Sequence, residues 1–233
     1  MSQKIKITLV KSSIGSVQKI IGTFHKAGET EVNHAINSAM KTWKTWSKSS
    51  LEERTKIFRK AAALLQGPWR DTINAATMLN QSKNAFQAEI DAACELIDFF
   101  NFNAQYAEDI YSDQPLISPT GTHNHLEYRP LEGFIFAITP FNFTSIAGNL
   151  PTAPAMLGNV VLWKPASTAV LPCYYLMLML KEAGLPDGVI NFIPGSGGTV
   201  GNPVLSNKNL AGVHFTGSTE TFQHIWKTVG NNI

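Results

Sequence analysis

The second half of the chain alternates short apolar segments with longer, helix-length segments, and this alternation restricts the fold more than any other feature. The apolar segments of strand length occupy residues 133–139, 159–164, 189–193 and 212–216. Helix-length segments follow them at residues 145–157, 168–183, 199–206 and 218–229. Because each crossover between parallel strands lays a helix over the sheet, such alternation is typical of a parallel sheet. We therefore predict an α/β fold, a Rossmann-like parallel sheet with helices on both faces.

The first half of the chain predicts a helical region that precedes this sheet. Ser50 followed by Glu53 is the pattern of a capping box, in which each side chain satisfies a backbone amide of the other residue. Gly67 and Pro68 then stop the helix. One long helix is predicted from an apolar stripe at helical spacing, formed by Phe86, Ile90, Ala93, Ile97, Phe100 and Ala104.

A change of pattern at residue 123 divides the chain into two predicted regions, a helical one at 1–122 and a partial nucleotide-binding domain at 123–233. Residues alternate in character over 123–129, which predicts an exposed strand. His123 and His125 fall on one side of that strand, as two metal ligands do, but no third ligand lies nearby in the sequence. We therefore expect no metal site.

The composition argues against nucleic acid and membranes as partners. The 19 Lys and Arg residues nearly balance the 17 Asp and Glu residues, so the formal charge of +2 creates no strong field. The apolar stretch at 134–163 contains three prolines and three asparagines, and the run at 169–180 is too short to span a bilayer. The opening 21 residues contain four lysines and no arginine, which does not indicate a secretory signal and leaves a transit peptide open.

The two cysteines, Cys94 and Cys173, form no CxxC pair and lie far apart in the sequence. A disulfide framework is therefore not expected, whereas a reducing compartment is. Cys173 lies in an apolar run and Cys94 in a helical pattern, so we interpret both as small core residues rather than as nucleophiles.

The segments that follow the four predicted strands are where chemistry is expected, because ligands of parallel sheets bind beyond the carboxyl ends of the strands. These segments read TPFNF at 139–143, KPAS at 164–167, PGSGG at 194–198 and FTGSTE at 215–220. Lys164 places a charge at the end of a buried strand, where it needs either a cofactor's ribose or phosphate or an ordinary carboxylate. Asn142 lies in an apolar setting, where its amide either braces the loop or donates to an oxyanion.

Two glycine-containing segments allow more than one interpretation. Residues 195–201 match neither GxGxxG nor a P-loop, and they form either a phosphate loop or a simple connection. Gly217 allows a tight turn, and the adjoining Ser218 or Thr219 either caps a helix or marks free amides that attract phosphate.

Taken together and in order, these motifs resemble the aldehyde dehydrogenases. The resemblance rests on LEGFIFAITPFNF at 131–143, GNVVLWKP at 158–165, EAGLPDGVIN at 182–191 and FTGS at 215–218. Further segments are similar to the branch that oxidises Δ1-pyrroline-5-carboxylate, in equilibrium with glutamate γ-semialdehyde. These are QAEIDAA at 87–93, ELIDFF at 95–100, Thr144 after the TPFNF segment, Trp163 before Lys164, and TFQHIW at 221–226.

The resemblance implies a role for each motif. Asn142 would donate its side-chain amide to the oxyanion of the reacting aldehyde. Lys164 would hold the adenosine ribose of NAD, with Ser167 near it. The full set implied for cofactor binding is Thr139, Pro140, Phe141, Lys164, Ser167, Gly217, Ser218, Thr219, Glu220 and Thr221. Phe222 departs from the common family pattern, which places a glycine at this position.

The family's reaction is attack of a cysteine thiolate on the aldehyde substrate, hydride transfer to NAD, and hydrolysis with a glutamate as base. In the family both residues lie downstream of the GSTE segment at 217–220, so we expect the catalytic domain to be absent from this chain. Full-length members are homo-oligomeric, and the branch implies the mitochondrial matrix in eukaryotes and the cytoplasm in bacteria. Two hypotheses stay open: a dehydrogenase fragment for this or another aldehyde, and a noncatalytic nucleotide-binding or interaction module.

Overall fold

The parallel sheet lies in the second half of the chain, as expected. The computed structural model describes residues 20–232, so the basic opening segment falls almost wholly outside the described residues. The strands are β1 (Phe134–Ile138), β2 (Val160–Lys164), β3 (Ile190–Phe192) and β4 (Leu210–Phe215). All three pairings are parallel, in the order β3-β2-β1-β4. The prediction of an α/β fold with a parallel sheet is confirmed.

The helices fall close to the predicted segments. In the first half they are α1 (Glu29–Trp46), α2 (Leu51–Gln66), α3 (Arg70–Gln81), α4 (Ala85–Ala88) and α5 (Glu95–Ser112). Between and after the strands they are α6 (Thr144–Met156), α7 (Val170–Ala183), α8 (Gly197–Leu205) and α9 (Thr219–Gly230). The capping box of α2 is present: Ser50 Oγ accepts from the amide of Glu53 at 3.2 Å, and Glu53 Oε2 accepts from the amide of Ser50 at 2.9 Å.

Helices cover both faces of the sheet because of the strand order. Parallel crossovers are right-handed, so α6 and α7, which lead from β1 to β2 and on to β3, lie on one face. The return from β3 across to β4 places α8 on the opposite face, where α1 packs against it. Helices α2, α3 and α5 pack behind α6 and α7 as an outer helical layer.

The core is formed where these layers meet the two central strands. Phe134, Phe136, Leu162 and Trp163 are fully buried, whereas every residue of the edge strand β4 is only partly buried. Cys173 is fully buried, as predicted, but Cys94 is half-buried and contacts the guanidinium of Arg70. No helix within residues 20–232 is long and apolar enough to cross a membrane.

The long helix predicted from the apolar stripe is interrupted. A π-helical turn at Glu89–Cys94 joins α4 to α5. Because a π-helix has more residues per turn than an α-helix, residues before and after this turn that share an α-helical spacing point in different directions. The stripe therefore changes face: Phe86 and Ile90 are 75% and 45% exposed, whereas Phe100 and Ala104 further along are buried. Periodicity located the helix correctly but assigned the wrong face to its first turns.

The strand predicted at residues 123–129 is wrong. This segment has no regular secondary structure and runs along the end of α5, where none of the described residues forms a strand that pairs with it. Leu126 exchanges hydrogen bonds with the side chain of Gln114, and Tyr128 Oη donates to the carbonyl of Asp113 at 3.0 Å. His123 and His125 stack on each other, and no group of three or more metal-ligating side chains occurs in the described part of the chain.

A bend into β1 depends on the absence of a side chain at Gly133. This residue has φ +126°, and a Cβ there would lie 2.2 Å from the carbonyl oxygen of Asn209, which is backbone and cannot move aside. Gly184, which ends α7, also has a positive φ of +105°, but it faces open space. An alanine would therefore cause backbone strain at both positions, but a steric collision only at Gly133.

We expect Gly133→Ala to lower the free energy of unfolding by about 3 kcal/mol, because backbone strain and overpacking add together. Gly184→Ala should lower it by only about 1 kcal/mol, since strain alone operates there. Urea denaturation followed by circular dichroism measures both values. Equal losses for the two variants would contradict the collision at Asn209.

Candidate functional site

The strand order reverses beside β1, and an open α/β sheet is expected to form its binding crevice at such a point, at the carboxyl end of β1. The chain moves to one side of β1 through β2 and β3, and then returns to the other side as β4. Ligands of open α/β sheets bind at such a reversal point, beyond the carboxyl ends of the two diverging strands. The amide of Thr139 donates to the carbonyl of Lys164 at 3.2 Å, and the amide of Thr216 donates to the carbonyl of Ile138 at 3.2 Å. The ends of β1, β2 and β4 are therefore directly adjacent.

The segment after β1 turns from the core to the surface within three residues. Thr139 and Pro140 are buried, whereas Phe141 is 64% exposed and Asn142 is exposed. The expectation of an apolar setting for Asn142 is thus wrong, because the chain turns outward before α6 begins at Thr144. The Asn142 amide makes no hydrogen bond with any described residue, so it is not bracing the loop.

The hydroxyl of Thr139 is held in place by the neighbouring strand. Trp163 Nε1 donates to Thr139 Oγ1 at 3.0 Å in a fully buried contact, and the indole packs edge-on against Phe192. Sequence reasoning used Trp163 only as a family marker and missed this contact. A signal was present, since a buried tryptophan needs an acceptor for its ring N–H and few polar side chains lie nearby.

Lys164 is the most informative charge at this edge of the sheet. Its side chain is half-buried, and the one hydrogen bond that its ammonium makes with residues 20–232 goes to the carbonyl oxygen of Pro165 at 3.4 Å. Burial lowers the pKa of Lys164, and no carboxylate within the described residues offsets that burial. Of the two kinds of partner expected for Lys164, a carboxylate is therefore absent from the described residues, which leaves the ribose or phosphate of a cofactor. Ser167, three residues further on, is exposed.

The segment after β4 begins a helix. Ser218 is the N-cap of α9: its Oγ accepts from the amide of Thr221 at 3.3 Å and lies 3.0 Å from Thr221 Oγ1. The capping interpretation of Ser218 is confirmed, and the first amides of α9 keep no partner within the helix. Thr219 and Glu220 are exposed in this first turn. An anion is favoured at such a position, and Glu220 is one anion already there.

The segment after β3 is a second helix start of the same kind. Ser196 caps α8, accepting from the amide of Thr199 at 3.2 Å. It lies at the end of the outermost strand, separated from β1 by β2. Residues 195–201 are therefore a helix start away from the reversal point rather than part of the central crevice.

Phe222 does not face this crevice. Its ring stacks on Phe215 and packs at a tilt against Trp226, and the three side chains line an apolar groove of about 430 Å³ between β4 and α9. The departure from the family pattern at this position is thus accommodated on the outer side of β4. The phenyl group fills space beside the edge strand.

Neither cysteine has the environment of an activated nucleophile. Complete burial strongly raises the pKa of Cys173, and the thiol has no route to a substrate. Burial also raises the pKa of Cys94, and the adjacent carboxylate of Glu89 adds to this effect. A reactive cysteine needs a lowered pKa and access to the substrate, so both thiols are unsuited to attack on an aldehyde.

Comparison with known proteins gives consistent relatives. A mitochondrial Δ1-pyrroline-5-carboxylate dehydrogenase of Rattus norvegicus is 50% identical over 213 residues, which cover 91% of this chain and 38% of the rat protein. A probable Δ1-pyrroline-5-carboxylate dehydrogenase of Schizosaccharomyces pombe is 47% identical over 216 residues, which cover 93% of this chain and 39% of that protein. This chain therefore spans less than two fifths of either relative.

A solved structure shows the same fold. The Δ-pyrroline-5-carboxylate dehydrogenase of Mycobacterium tuberculosis bound with NAD superimposes with a TM-score of 0.89 at 53% identity, over 91% of this chain and 39% of that one. The model of the aldehyde dehydrogenase family matches residues 8–233. Because the match covers nearly the whole chain and the fold agrees with that of solved relatives, the chain belongs to the aldehyde dehydrogenase family.

Proposed function

We propose that this chain is the cofactor-binding part of an enzyme that oxidises L-glutamate γ-semialdehyde, the open form of Δ1-pyrroline-5-carboxylate, to glutamate with NAD in proline catabolism. The observation that carries the proposal is the half-buried ammonium of Lys164, which has no carboxylate partner in the part of the chain that the structure describes and lies at the end of β2, beside the reversal point of the sheet. The relatives named for this activity support the substrate.

The residues at the three adjacent strand ends fit NAD. Lys164, with Ser167 beside it, would bind the hydroxyls of the adenosine ribose, which supply the acceptors that the ammonium lacks. The buried Thr139 and Pro140 and the exposed Phe141 would form the wall of the cofactor channel. The pyrophosphate would bind at the start of α9, which comprises Gly217, Ser218, Thr219, Glu220 and Thr221, on the amides that the Ser218 cap leaves free.

Asn142 is the one residue of the chemical step that this chain contributes. Its amide is exposed and unpaired, so it is free to donate to an oxyanion that develops on the substrate carbonyl. When bound, NAD supplies the hydride acceptor for the oxidation. The thiol nucleophile and the carboxylate base come from the part of the enzyme that the longer relatives carry, since Cys94 and Cys173 are both unsuited to the task.

The division at residue 122 remains part of the proposal, with the outer helices as support for the nucleotide-binding region. The rat relative is named as mitochondrial, and we propose the mitochondrial matrix for a eukaryotic protein and the cytoplasm for a bacterial one. Homo-oligomers are proposed for the whole enzyme. If the chain acts alone, the exposed crevice favours a nucleotide-binding module without turnover.

We expect Lys164→Ala to weaken NAD binding by about tenfold or more, because a hydrogen bond to a charged group is lost. Isothermal titration calorimetry on the purified chain measures the dissociation constant. Lys208→Ala is the matched control, since Lys208 is exposed at the opposite, amino-terminal end of β4. Unchanged affinity in Lys164→Ala would remove Lys164 from the cofactor site.

Comparing the N-cap serines of α8 and α9 tests whether the start of α9 binds NAD in addition to being capped. Ser218→Ala and Ser196→Ala each remove one N-cap acceptor, and each should lower the free energy of unfolding by about 1 kcal/mol. Only Ser218→Ala should also weaken NAD binding, by severalfold, because only α9 begins at the reversal point. Equal NAD affinities in the two variants would argue against a pyrophosphate site at α9.

The chain alone should not reduce NAD in the presence of glutamate γ-semialdehyde, because the pKa of both thiols is raised and Cys173 is fully buried. The ultraviolet absorbance of NADH follows the reaction. Steady turnover by the pure chain would contradict the proposal that the nucleophile lies elsewhere. Cys94→Ser would then show whether Cys94 is responsible.

A further inference from the structure

The helices α6 and α7, which follow the loops after β1 and β2, begin without a capping side chain of their own. The N-cap positions of α6 and α7 are Phe143 and Ala169, and neither side chain accepts a hydrogen bond from the helix. The first amides of a helix have no partner within it and are costly to bury unpaired. The start of α6 directly follows Asn142, and the start of α7 follows the loop after Lys164. Contacts that fix these two helix starts therefore also fix the two preceding loops.

The start of α7 is capped from a distant helix. The amide of Leu171 donates to Asn80 Oδ1 at 3.0 Å, across 91 positions of sequence. Asn80 belongs to α3 and is only 4% exposed. Asn80 therefore does for α7 what an N-cap side chain normally does within its own helix.

The start of α6 is held by the same helix. Thr144, the first residue of α6, places its hydroxyl 2.8 Å from that of Thr77, and Gln81 Nε2 donates to Thr144 Oγ1 at 3.0 Å. Thr77 and Thr144 are both fully buried. A buried hydroxyl that loses such partners is strongly disfavoured, so the position of the first turn of α6 is narrowly defined.

The three residues on α3 act from one face. Asn80 and Gln81 lie three and four positions after Thr77, so all three side chains project from the same side of the helix. A single rigid element thereby contacts the starts of both α6 and α7. The separation between these two helix starts is fixed by the helix, and the separation between the preceding loops follows from it.

We propose that α3 is a positioning element for the cofactor crevice. Thr77 acts through Thr144 on the loop that carries Asn142, and Asn80 acts through Leu171 on the loop that follows Lys164. The inference rests on the proposed function for its consequence in NAD binding. The positioning itself is a property of the chain without ligand and is measured separately.

The test is hydrogen exchange on the purified chain, combined with NAD titration. Thr77→Val removes the hydroxyl with little change of shape, and it should speed amide exchange across residues 141–147 by about fivefold. Asn80→Ala should produce a similar increase across residues 168–173. The strands β1 and β2 should keep their wild-type exchange in both variants, and NAD affinity should fall severalfold in each.

Matched variants separate positioning from general stability. Thr55→Val also removes a buried threonine hydroxyl from the outer helical layer, but that hydroxyl bonds only within α2, to the carbonyl of Glu52. It should leave the exchange of both loops and the NAD affinity unchanged. Thr77→Ser and Asn80→Asp keep the bonding oxygens and should retain wild-type protection at the two helix starts.

Each result decides the matter. Accelerated exchange confined to the two helix starts supports the proposal, and it does so even if Asn80→Ala is poorly folded and only Thr77→Val is measured. Uniform acceleration across the sheet, or no local change at all, overturns it. If the wild-type chain binds no NAD, the proposed function fails, whereas the exchange pattern still decides whether α3 positions the loops.

Discussion

The parallel pairing of β1 with two neighbours is the constraint on which the rest of the structure depends. Backbone hydrogen bonds from Thr139 to Lys164 and from Thr216 to Ile138 bring three strand ends together, although they are far apart in sequence. Since all three strands run in the same direction, their carboxyl ends open on the same side. Backbone pairing alone therefore brings together the segments that carry the candidate binding residues.

Burial then gives the side chains at this edge their properties. Trp163 Nε1 donates to Thr139 Oγ1 within the core, and this bond links the ends of β1 and β2. Lys164 is half-buried with no acidic partner among residues 20–232, and this burial lowers its pKa. Such perturbed groups concentrate at functional sites, because a ligand supplies what the fold leaves out.

The outer helical layer connects to the sheet through polar contacts as well as apolar packing. Asn80 and Thr77 on α3 meet the starts of α7 and α6, while Arg54 on α2 is buried and donates to the carbonyl of Met156 at the end of α6. Each contact satisfies a group that would otherwise be buried unpaired. The helical layer therefore holds the starts of α6 and α7 and the end of α6.

The sequence by itself determined the family, the parallel sheet and the order of the loops, because these depend on local periodicity and on motifs that are contiguous in the chain. Only the tertiary structure decided the rest. The segment at 123–129 has no strand to pair with among the described residues, the π-helical turn changes the buried face before α5, and Asn142 faces solvent. Strand pairing, burial and the contact of Asn80 with Leu171 all involve residues distant in sequence, so no local pattern contains them.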